Sequence, residues 1–221
     1  MSKEWTEQIP AESPLVNEQL KAQLKTIFER LERNITLVSI IDLDNGTCME
    51  MASFLKSVAS VQEKITVEFY KIGEDPQLDS LLNAELLPAT GLFLDGNYQG
   101  VAFHGVPGGK EINSFVMAIV YAAGPAQPVE EKILKKLGKL KTQNNLKVCV
   151  SLSCHHCPNV VAAGQRLALL SPNVTCEMVD ARLYPDLVEK YQISRVPAVI
   201  LNDGALYLGE KDMEGLLALL K

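Results

Sequence analysis

Val148-Cys149-Val150-Ser151-Leu152-Ser153-Cys154-His155-His156-Cys157-Pro158-Asn159-Val160-Val161 is the stretch on which the reading of this chain turns. Its first part is apolar and β-branched, and it belongs to a strand predicted over 146–152. Its last part opens a helix after Cys157. The two cysteines therefore sit where a buried strand hands over to a helix start. Unpaired N–H groups and the positive dipole end at such a start favour thiolate over thiol. Two intervening residues allow disulfide closure with little chain movement and leave the first sulfur outermost. Cys154 is thus the expected nucleophile toward a partner disulfide, and Cys157 the expected resolving thiol. His155 and His156 add imidazole dipoles or partial positive charge beside the thiols.

A lone CxxC also suits zinc, but a structural zinc site takes two such pairs and no second pair exists here. Cys149 or Cys176 could complete a metal site, although both lie inside predicted strands, where small buried hydrophobes are the simpler reading. Cys48 reads the same way. His104 lies in a Gly-rich segment and is expected at a surface or turn. Gly105, Gly108 and Gly109 do not form a dinucleotide fingerprint after a strand.

Outward from the dithiol, the second half reads as a helix (129–140), the strand and helix just described, a strand (174–180) and a short helix (186–191). Pro197, a hairpin turning at Asn202-Asp203-Gly204 and a terminal helix (212–220) complete it. The first half runs through the same programme. Ser13-Pro14 reads as the cap and first turn of a helix whose stripe is Val16, Leu20, Leu24, Phe28 and Leu31, closed by Asn34. Next come a strand (36–43), a helix with Met51, Phe54, Leu55 and Val58 on one face, a strand (65–72) and a short helix (78–82). Pro88, a hairpin turning at Asp95-Gly96-Asn97 and a helix (110–122) follow. Setting Val38 on Val148 gives an offset of 110, and Pro88 matches Pro197 at 109. The chain is expected to be a tandem duplication: 1–123 and 129–221 as the two folds, 124–128 as linker. Under the 110 offset Asp44 falls on Cys154 and Thr47 on Cys157, with Cys48 one position too late. The first half is therefore expected to be a redox-silent scaffold.

The chain has 221 residues, 47% of them hydrophobic, and a net charge of −6. That acidity gives no footing for sequence-independent nucleic-acid binding. The longest apolar run, from Phe115 to Ala123, is far short of a membrane span. The start lacks a secretory signal, and five cysteines do not make a disulfide scaffold. A cytoplasmic location is expected.

The run Ser151 to Val161, with Val196-Pro197-Ala198-Val199 downstream, resembles the thioredoxin/glutaredoxin superfamily. More narrowly, it is similar to the tandem thioredoxin-fold N-terminal domains of alkyl hydroperoxide reductase F subunits. The resemblance covers nearly the whole chain and implies an α/β architecture of two tandem thioredoxin-like folds packed as one unit. It implies that Pro197 is a cis-proline packed on the dithiol and that Val196 pairs its backbone with an incoming substrate strand. It also implies an acidic residue from the first fold beside the site, for which Glu111 in Gly108-Gly109-Lys110-Glu111 is the candidate. From the residues alone, Glu111 reads equally as a solvated helix-start carboxylate. The implied function is thiol–disulfide exchange, with electrons relayed from a thioredoxin-reductase-like flavoprotein to a peroxiredoxin or other disulfide protein. No bound cofactor is expected beyond the Cys154–Cys157 couple. A glutathione-dependent glutaredoxin-like or disulfide-isomerase activity is the alternative enzyme reading, and a zinc- or copper-handling module the alternative of another class.

Overall fold

The computed structural model describes residues 3–125 and 127–221. Ala126, within the expected 124–128 linker, lies outside the described residues. After a 3-10 turn (Glu4–Gln8) the elements are α1 (Glu18–Phe28), β1 (Ile35–Ile41), α2 (Gly46–Ala59), β2 (Ile65–Lys71), α3 (Pro76–Leu81), β3 (Ala89–Leu94), β4 (Asn97–His104) and α4 (Ile112–Ala123). The second series is α5 (Glu131–Leu137), β5 (Asn144–Val150), α6 (Cys157–Leu170), β6 (Val174–Asp180), α7 (Pro185–Lys190), β7 (Ala198–Leu201), β8 (Ala205–Leu208) and α8 (Met213–Leu217). Both halves have the expected element order.

The local chemistry accounts for most boundaries. Asn45 caps α2, accepting from the N–H groups of Thr47 and Cys48, and Asp75 caps α3 ahead of Pro76. Asp95 and Gly96 both take positive φ, as a two-residue hairpin turn between β3 and β4 requires. Ser13 does not cap α1. Its hydroxyl accepts from Leu15 N at 3.2 Å and its carbonyl from Val16 N at 3.0 Å, which closes a separate turn. Pro14 suits a turn as well as a helix start, and the cap is Asn17, accepting from Leu20 N at 2.9 Å. The helix ends at Phe28 rather than at Asn34, and the terminal helix is shorter than its apolar pattern.

All eight strands form one sheet in the order β2-β1-β3-β4-β6-β5-β7-β8. Each half contributes a parallel pair extended by antiparallel neighbours, and the halves meet where β4 runs parallel to β6. The main core lies on one face and runs through both halves, with Phe54, Phe103 and Phe115 in edge-to-face contact at its centre. Two smaller clusters lie on the other face, one with Leu78 of α3 packed against it and one with Leu187 of α7. Glycine is required at Gly100 on the seam: its φ is +73°, and a Cβ there would fall 2.9 Å from the Val174 carbonyl oxygen.

The structure corrects the repeat register. β1 and β5, β2 and β6, α3 and α7, and the starts of β3 and β7 all differ by 109 positions. The counterpart of Val38 is therefore Lys147, not Val148. A one-residue slip moves a strand side chain to the opposite face. Val38 indeed belongs to the smaller cluster beside Leu82, whereas Val148 lies in the main core.

His104 is also not at a surface or turn. It ends β4 fully buried, because β4 runs on past its bulge to pair with β6. Its Nδ1 meets the Leu86 carbonyl at 2.7 Å and its Nε2 meets Glu177 Oε2 at 3.0 Å. Glu177 accepts further hydrogen bonds from Asn83 at 2.9 Å and Asn145 at 2.5 Å, with Lys147 Nζ at 3.6 Å. Burial pushes the Glu177 carboxyl up, but His104, Lys147 and Asn83 together outweigh it and hold it down at about 2. Its unfolded value is about 4.3. A depressed carboxylate contributes stability above the unfolded value and loses it as pH falls through the folded one. Glu177→Gln should therefore cost about 3 kcal/mol or more at pH 7, and wild type and variant should converge near pH 2. Urea unfolding at pH 7, 4 and 2.5 checks this; a constant gap would contradict it.

Candidate active site

The carboxyl ends of β4, β5 and β6 lie at one edge of the sheet, and the dithiol stands there. β5 ends at Val150, Ser151–His156 make the turn, and Cys157 begins α6. Cys154 and Cys157 are disulfide-bonded, with Cα atoms 5.6 Å apart. Cys157 is fully buried, Cys154 partly exposed, and the Cys157 N–H points at Cys154 Sγ from 3.2 Å. A helix-start N–H on the outer sulfur is the arrangement that favours a thiolate there. Cys48, Cys149 and Cys176 are free and buried, and burial pushes all three thiols up, Cys48 to about 11 and Cys149 to about 12.

Val196–Pro197 is a cis peptide bond, as the resemblance implied. The antiparallel register that sets Cys149 opposite Ala198 brings Pro197 level with the end of β5. Val196 is partly exposed and Pro197 buried.

Glu111 is not solvated; it is fully buried. The segment from Gly108 packs on the active-site turn, with Lys110 N donating to the Leu152 carbonyl at 2.9 Å. Gly109, at φ +55°, allows that approach, since a Cβ there would fall 2.5 Å from the same oxygen. Glu111 Oε2 accepts from Ser114 Oγ at 2.5 Å, while Oε1 has no hydrogen-bond partner among the described residues. Burial pushes its carboxyl up to about 7; the Ser114 hydrogen bond opposes that shift and the charge of Asp180 adds to it.

His155 and His156 are both exposed. His156 Nδ1 lies 2.9 Å from Glu210 Oε2, and Asn159 Nδ2 donates to Glu210 Oε1 at 3.2 Å. Sequence reasoning missed Glu210, which sits in the loop after β8 and carries no local signal linking it to the dithiol. Among the described residues no group of three or more His, Cys, Asp and Glu side chains is gathered to hold a metal ion. No helix among them is long and apolar enough to cross a membrane.

At the corrected offset of 109 the first-half counterparts of Cys154 and Cys157 are Asn45 and Cys48, in place of the Asp44 and Thr47 expected at 110. The hydrogen bonding bears this out. Cys48 N donates to Asn45 Oδ1 at 3.2 Å, across the same three-residue spacing and at the same distance as Cys157 N to Cys154 Sγ. Leu87–Pro88, the counterpart of Val196–Pro197, is also cis. Here, however, the Leu87 carbonyl accepts a hydrogen bond from Tyr184 of the second half at 2.9 Å.

The Thioredoxin domain family is matched over residues 144–221. The N-terminal domain of the Enterococcus faecalis alkylhydroperoxide reductase F subunit is 37% identical, with a TM-score of 0.87, over 93% of this chain and 99% of that one. This chain belongs to the family of that F-subunit domain. It is a thioredoxin-fold disulfide oxidoreductase, built as two tandem thioredoxin-like folds packed as one unit, and its redox-active group is the Cys154–Cys157 disulfide. The Pseudomonas putida F subunit of alkyl hydroperoxide reductase is 31% identical over 90% of this chain, and a Bacillus subtilis protein named NADH dehydrogenase is 30% identical over 90%. The chain spans 36% of the length of each. A protein disulfide oxidoreductase from Aeropyrum pernix shares the fold, with a TM-score of 0.83 at 20% identity.

This geometry makes two expectations testable. Asn45→Cys should complete a second dithiol. Titration of the oxidised, denatured variant should then find two free thiols, against the three of wild type, whereas four would refute the equivalence. For Glu111, a carboxyl raised from about 4.3 unfolded to about 7 folded contributes its full stability below pH 4.3 and loses it as pH rises through 7. The stability of Glu111→Gln relative to wild type should therefore be greater at pH 8 than at pH 5. A gap in urea unfolding that is equal at both pH values would remove the buried-acid assignment.

Proposed function

We propose that this chain relays electron pairs from a thioredoxin-reductase-like flavoprotein to a protein disulfide, with a peroxiredoxin-type acceptor as the leading candidate. The observation that carries the reading is the asymmetry of the dithiol: Cys154 is partly exposed with its sulfur facing a helix-start N–H, and Cys157 is fully buried. The names of the relatives, NADH dehydrogenase and the F subunit of alkyl hydroperoxide reductase, support nicotinamide and peroxide chemistry at the two ends of such a relay.

The Cys154 thiolate attacks one sulfur of the partner disulfide, forming a mixed disulfide and releasing the partner's other sulfur as a thiolate. The Cys157 thiolate then attacks Cys154, releasing the second partner sulfur and leaving the Cys154–Cys157 disulfide. Two electrons reach the partner, and the two protons released when the Cys154 and Cys157 thiolates form are returned through solvent to the partner's two thiolates. The flavoprotein's own dithiol reverses the sequence at the expense of reduced nicotinamide. Val196 offers its backbone to the incoming strand, Pro197 shapes the contact, and His155 and His156 tune the thiols. Glu111 is the buried acid behind them. The first fold, residues 1–123, serves as scaffold and docking surface.

Cys154→Ser should abolish exchange, and Cys157→Ser should accumulate a mixed disulfide through Cys154, seen as a mass adduct that reductant removes. Reduced nicotinamide alone should leave the disulfide intact, and adding the flavoprotein should reduce it. Reduction by nicotinamide alone would end the relay reading. Faster turnover with glutathione and glutathione reductase would transfer the function to glutaredoxin-like chemistry.

A further inference from the structure

We propose that Glu210 is a positioning residue for the dithiol: it holds a compensating negative charge against His156 and so keeps the Cys154–Cys157 couple reducing. The inference rests on reading Cys154–Cys157 as the exchanging pair.

Glu210 follows Gly209, whose N–H donates to the Pro197 carbonyl at 2.9 Å. Its carboxylate then spans to the other wall of the site, where Oε2 meets His156 Nδ1 at 2.9 Å and Oε1 accepts from Asn159 at 3.2 Å. One residue thus ties the Val196–Pro197 segment to the start of α6. A carboxylate only accepts, so the proton on the facing imidazole nitrogen is Nδ1–H, and the ring is held by that bond.

His156 immediately precedes Cys157 at the positive end of α6. Positive charge gathered there stabilises the Cys154 thiolate. A stabilised thiolate stabilises the reduced dithiol and makes the couple a stronger oxidant, which is the wrong direction for a group that must pass electrons on. Glu210 matches whatever positive charge the ring carries. Neutralising Glu210 therefore makes the local potential at the dithiol more positive.

The test is the equilibrium of the couple with glutathione at pH 7, which reports Cys154–Cys157 whatever the physiological partner. Glu210→Gln removes the charge and keeps one acceptor oxygen, which can serve His156 or Asn159 but not both. Both side chains are exposed and screened, so the equilibrium should move toward the dithiol by about threefold, or about 14 mV. The shift should shrink in 1 M salt, where the screening length is about 3 Å. Glu210→Asp, which keeps the charge, should lie nearer wild type. In a His156→Asn background, where the carboxylate has lost its ring partner, Glu210→Gln should move the equilibrium less. No shift, a shift toward the disulfide, or an equal shift without His156 would each overturn the proposal. Exchange persisting in Cys154→Ser would instead overturn the dithiol reading on which it stands.

Discussion

The parallel seam between β4 and β6 is the constraint on which the rest of the molecule depends. Backbone pairing from Val101 with Cys176 to His104 with Val179 fuses two four-stranded sheets into one. The seam carries a buried carboxylate, Glu177, whose partners come from the segment after α3, from β4 and from β5. A lone buried carboxylate would be costly, and its hydrogen bonds to His104, Asn83 and Asn145 meet that cost only when both folds are docked in this register. The same register carries the chain beyond β4 onto the active-site turn, where Lys110 binds the Leu152 carbonyl and Glu111 is enclosed. The first fold contributes no sulfur to the dithiol, yet it forms part of the wall behind it.

The two helix starts solve one problem with different atoms. Each has unpaired N–H groups, and each places an acceptor three residues before a buried cysteine: Asn45 Oδ1 in one, Cys154 Sγ in the other. An amide oxygen is the better cap, and a sulfur is the one that can exchange. Polar satisfaction and redox chemistry compete for the same position, and each fold has settled the competition differently.

Much of the architecture was legible because it follows from local rules. Alternation and apolar runs located the strands, Asp95-Gly96 and Asn202-Asp203-Gly204 located the hairpins, and the matching prolines at 88 and 197 exposed the duplication. The dithiol was legible from spacing and from its place between strand and helix. What escaped depends on contacts between distant segments. The true repeat register escaped because Val38 matches Val148 in residue type, whereas its actual counterpart Lys147 is a charged residue whose ion partners Glu177 and Asp203 come from other strands and turns. His104 looked like a turn residue because nothing local shows that β4 continues to a second sheet. Glu111 could be read either as the acid of the site or as solvated, because its segment is held by the active-site turn of the other fold, and Glu210 could be linked to His156 only once the loop after β8 had met the start of α6.

The Tyr184 hydroxyl on the Leu87 carbonyl bears on stoichiometry. Leu87 and its counterpart Val196 are both partly exposed, but in the first fold the backbone acceptor before the cis-proline is engaged by the chain itself. Duplication doubled the scaffold without doubling its valence. Among the described residues the two matching folds thus share one disulfide, Cys154–Cys157, while the equivalent helix start in the first fold is closed by an amide.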